Sequence, residues 1–84
     1  MSKVTEAIDF FEKQIKPLMR GREPEFIGAV LTQAFAYFIA GHYQPDDAEL
    51  TQQVRLNVAG QLIQGALDLV PIIHEEIIKP ARLQ

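Results

Sequence analysis

Cysteine is absent from the 84 residues, serine occurs once, at Ser2, and the five glycines never gather into a loop. Without cysteine there is no disulfide to staple a small chain, no thiolate nucleophile and no thiolate ligand for zinc. With one serine and no glycine-rich phosphate cradle, serine-nucleophile and P-loop chemistry have nothing to act through. Apolar and polar residues never alternate in the two-residue rhythm of a strand over a useful length, which leaves an all-α reading. Positive charge is scarce. Eight Lys and Arg stand against eleven Asp and Glu, a net charge of −3, so electrostatics give no reason to bind nucleic acid. The stretch MSKVTEAIDFFEK carries acidic residues where a secretory leader needs an apolar centre, and with the missing cysteine it predicts a cytosolic protein.

What is present fits one folded domain over residues 1–84, with 48% hydrophobic and 23% charged residues. A chain this short buries a core that supplies only a few kcal/mol, so association is a common remedy. Helical periodicity predicts helices over about residues 3–19, 24–41, 47–70 and 72–79. In the first, Val4, Ile8, Phe11, Ile15 and Leu18 form one narrow apolar stripe, and Pro17 with Gly21 should kink or end the helix between residues 16 and 20. The second opens at Glu23-Pro24-Glu25, with proline in the favoured first turn and carboxylates at the positive end of the dipole. The third starts from Asp46 or Asp47, Asp46 and Glu49 having the spacing of a capping box, and is kinked or broken at Pro71.

Residues 26–45 contain no Lys, Arg, Asp or Glu. Sixteen helical residues reach about 24 Å, short of the roughly 30 Å hydrocarbon core, and no basic flank follows Gly41, so a membrane span is disfavoured. The helix has bulky residues on one side and a small ridge, Gly28, Thr32, Ala36 and Ala40, on the other, which lets a second helix come close. In the third helix Val54, Val58, Leu62 and Leu69 form one apolar row and Ala59, Ile63, Ala66 and Val70 a second, an arc about twice the ordinary width. Three helices cannot cover two such arcs, and large bare apolar patches are rare on monomers. The sequence therefore predicts a small helical bundle completed by self-association, as a homodimer or larger, with Gly28, Thr32, Ala36, Ala40, Val58, Leu62, Ile63 and Ala66 at the interface.

Candidate chemistry is thin. His42 lies near Asp46 and Asp47, but those carboxylates are wanted as caps and no second histidine or cysteine is nearby. His74-Glu75-Glu76 lacks the spacing of zinc-protease or di-iron helices, and the paired acidic motifs of all-α pyrophosphatases are missing. A helix-turn-helix over residues 26–60 would present Asp46, Asp47 and Glu49 to phosphates. The localised alternative is an anion site, for a phosphate or nucleotide, where Lys16, Arg20 and Arg22 precede the second helix; cations closing the first helix's dipole explain the same residues. The reading is thus a protein-interaction or assembly module that partners itself or another protein. No catalytic residue, metal or cofactor is assigned, and small-anion binding is the alternative.

Overall fold

The computed structural model describes residues 2–82, and the regular structure among them is entirely helical. Helix α1 covers residues 3–19, α2 Pro24–Ala40 and α3 Ala48–Arg82. Backbone contacts divide the chain into two units, Met1–Phe35 and Ala36–Gln84, with the boundary inside α2.

Helix α1 opens on Ser2, whose hydroxyl accepts the Thr5 N–H at 3.1 Å, satisfying one of the donors left free at a helix start. Its turns loosen into π geometry over Phe11–Ile15, where the Lys16 N–H reaches back five residues to the Phe11 carbonyl. Pro17 accounts for the position: it has no N–H to offer and its ring crowds the preceding turn, strain that a widened turn relieves. The helix ends at Met19, and Gly21 takes φ 73°, a left-handed conformation open to glycine without steric cost.

In α3 the N-cap is Asp47, whose Oδ1 accepts the Leu50 N–H at 2.9 Å. The Asp46–Glu49 capping box is not the arrangement used. Pro71 does not break the helix into 47–70 and 72–79 pieces as its chemistry predicts; Ala48–Ile73 is continuous α-helix and the chain stays helical to Arg82. A proline removes one donor, and in a 35-residue helix every neighbouring turn still holds the backbone. The irregularity lies downstream, in a π segment at His74–Ile78, again two residues before a proline, Pro80. Both π segments carry the same local sequence, Glu-x-x-Ile-Lys-Pro at 12–17 and 75–80, with the same ion pair: Lys16 to Glu12 at 3.2 Å and Lys79 to Glu75 at 3.5 Å.

No hydrophobic side chain among the described residues is buried, and Thr51, 5% exposed, is the one buried residue. The helices are well formed one by one. The core that should hold them is missing.

Candidate functional site

The most ordered polar arrangement is the turn between α2 and α3. Thr51 stands on the first turn of α3 with its Oγ1 2.9 Å from the Gln44 N–H, which donates to it, and 3.0 and 2.9 Å from the Gln44 and Asp47 carbonyls. One turn on, Arg55 donates through Nε to the His42 carbonyl at 3.1 Å and through Nη2 to the Ala40 carbonyl at 2.6 Å. These carbonyls sit at the C-terminal end of α2, where acceptors have no intrahelical partner and the dipole is negative, so a guanidinium supplies both the donors and the charge. The Arg55 guanidinium also lies 5.8 Å from the Tyr43 ring centroid. His42 Nδ1 donates to the Phe38 carbonyl at 2.9 Å, and its ring meets the Phe38 ring edge-on.

Tyr43, Ala48, Thr51, Gln52, Arg55 and Leu56 line an open cleft beside this turn. Thr51 and two of the Arg55 nitrogens are spent on the chain's own carbonyls, and no buried side-chain polar atom among the described residues lacks a partner. The arrangement is a clamp on the connection rather than a reaction centre. Among the described residues no three of His, Asp and Glu are grouped to hold a metal ion, and His42 is engaged by Phe38 rather than by Asp46 or Asp47.

At the α1–α2 junction the three cations proposed for an anion are partly engaged already. Lys16 is paired with Glu12, and Arg22 lies over the Phe26 ring at 4.7 Å, with Arg20 at the C-cap of α1.

Comparison with protein-family models, curated proteins and solved structures gave no match. The functional reading therefore rests on the surfaces.

On α2 the ridge residues Gly28, Thr32, Ala36 and Ala40 are all exposed, and a Cβ built at Gly28 would meet nothing within 4 Å. The Thr32 hydroxyl donates to the Gly28 carbonyl at 2.8 Å, so the one polar group on the ridge already has its partner and can be covered at little desolvation cost. On α3 the residues expected at an interface separate into two sets. Val58 and Leu62 are half-buried within the chain, as is Val54, whereas Ile63 and Ala66 are exposed. The outward row is Leu56, Ile63, Leu67 and Val70, each 56–65% exposed. Sequence reading counted these as the margin of a broad arc. The signal that singles them out is their spacing of seven, 56, 63 and 70, with Gly60 and Leu67 four residues after the first two.

Proposed function

We propose that the chain is an assembly module whose hydrophobic core is completed by another polypeptide, so that its function is exercised as part of a protein assembly. The carrying observation is the absence of any buried hydrophobic side chain among the described residues. Its accessible surface is 7493 Å² where a folded monomer of 9.5 kDa exposes about 5,000 Å², leaving roughly 2,400 Å² more than its mass warrants. A surplus of this size on helices rich in Leu, Ile, Val and Phe is unstable in water, since each such side chain gains about 1.5–3 kcal/mol when fully buried.

Lipid is the competing cover, because Ala48–Arg82 is long and apolar enough to cross a bilayer by length and composition. Against it, Asn57, Gln61, Gln64 and Asp68 make a polar row along that helix, with Gln64 donating to Asp68 at 2.9 Å, and a carboxylate at the centre of a span costs about 2.5–3.5 kcal/mol. A polar row facing water and an apolar arc facing protein satisfy both halves of the helix.

The test is to purify the chain without detergent, measure the binding of a dye specific for bare apolar surface, and float the protein with anionic phospholipid vesicles. The proposal expects low dye binding and no flotation. Strong flotation with helices protected only in vesicles would replace polypeptide by lipid, and a dye-silent, compact single subunit would remove the need for any cover.

A further inference from the structure

Helix α3 presents different rows to different neighbours. Val54, Val58 and Leu62 are half-buried by the chain itself, and Asn57, Gln61 and Asp68 are wet. Between these sectors Leu56, Gly60, Ile63, Leu67 and Val70 recur at intervals of four and three, the repeat that keeps one seam facing a partner helix along its length. Nothing in the chain fills the seam: a Cβ at Gly60 would find no atom within 4 Å, and the large members are more than half exposed. The seam stops at the π segment beginning at His74, where the change in turn width shifts the helical register.

We propose that the occupant of this seam is a second copy of the chain, the two copies packing α3 against α3 about a two-fold axis. The inference rests on the reading that polypeptide covers the apolar surface, and it names that polypeptide. Two observations select a copy over a foreign protein. The first is area: if each chain hides its surplus of roughly 2,400 Å², the pair buries about 4,800 Å², within the 2,000–5,000 Å² of obligate homodimers and far above a transient contact. The second is charge. Across a two-fold axis each residue meets a neighbourhood identical to its own, so a charged seam repels itself. Here the seam has no charged member, and its flanking positions are Asn57, Ala59, Gln64 and Ala66, also neutral. Seams that select a different partner normally carry charges at those flanks to do so.

The absence of cysteine makes the test clean. The native chain is weighed in solution by sedimentation, and single substitutions Leu56→Cys, Gly60→Cys, Ile63→Cys, Leu67→Cys and Val70→Cys are oxidised alongside Gln61→Cys and Asp68→Cys on the polar row. The expected results are a mass of about 19 kDa, as a two-fold pair of 9.5 kDa chains requires, and at least one seam position linking roughly tenfold faster than either polar-row position. A mass of two chains with no preference for the seam would overturn the α3 pairing while leaving the covered-core reading intact. A chain that is loosely packed and dye-binding alone, and compact only with another protein, would likewise overturn the second copy and keep the reading. A compact 9.5 kDa species would overturn both.

Discussion

Replacing Ile63 by alanine separates a self-contained chain from one that is completed by a partner, because the two give different magnitudes. In the lone chain Ile63 is 57% exposed, so under half of the roughly 1.5–3 kcal/mol available from full burial is at stake, about 1 kcal/mol. Alanine's better helix propensity returns a few tenths of that, leaving a net loss of about 0.5 kcal/mol. If Ile63 is enclosed in a seam, its truncation instead carries the transfer loss plus a cavity, about 2–5 kcal/mol per chain, felt twice in a two-fold pair. Urea unfolding followed by far-ultraviolet circular dichroism, with wild type and variant at matched micromolar concentration, reads the difference as a change in midpoint. A loss of at least about 2 kcal/mol per chain is predicted. A loss below about 0.7 kcal/mol would mean that Ile63 stays in water and would refute the reasoning.

The turn clamp makes predictions independent of assembly. Arg55→Ala strips two charge-assisted hydrogen bonds from the end of α2, one of them solvent-exposed, and should cost about 1–2 kcal/mol by denaturant titration, with Arg55→Lys restoring less than half because an ammonium cannot span both carbonyls. Thr51→Val keeps the shape but orphans the groups bonded to Oγ1; a loss of about 1–3 kcal/mol and faster hydrogen exchange at the Gln44 amide are expected, whereas Thr51→Ser should behave nearly as wild type. Gly21→Ala forces a Cβ into left-handed backbone and should cost about 1–2 kcal/mol, seen as a lowered urea midpoint.

Helix starts and stops were legible because local chemistry sets them: Pro24 in a first turn, Asp47 as a cap, Gly21 where the chain must leave a helix. Pro71 was misleading for the same reason. Its effect on one hydrogen bond is local, while continuity of α3 is decided by the many turns around it. The π segments were missed because periodicity arguments assume one pitch throughout, although the repeated Glu-x-x-Ile-Lys-Pro was there to be noticed. Arg55 was passed over as a charge on an apolar arc. Its role needs the end of α2 brought to it, a separation of 15 residues from Ala40 that no local window contains. The breadth of the α3 arc was readable, but periodicity reports the width of an apolar face and not which sector its own chain fills; only exposure distinguishes Val58 and Leu62 from Leu56, Ile63 and Leu67.

The central claim, that one copy cannot hide its own apolar surface, is met most directly by melting the native chain at two concentrations a hundredfold apart. If folding and pairing are one equilibrium, the dilution removes about 2.7 kcal/mol per pair and should lower Tm by roughly 5–10 °C. A sharp transition at the same temperature in both samples would show a fold that stands alone and would contradict the account.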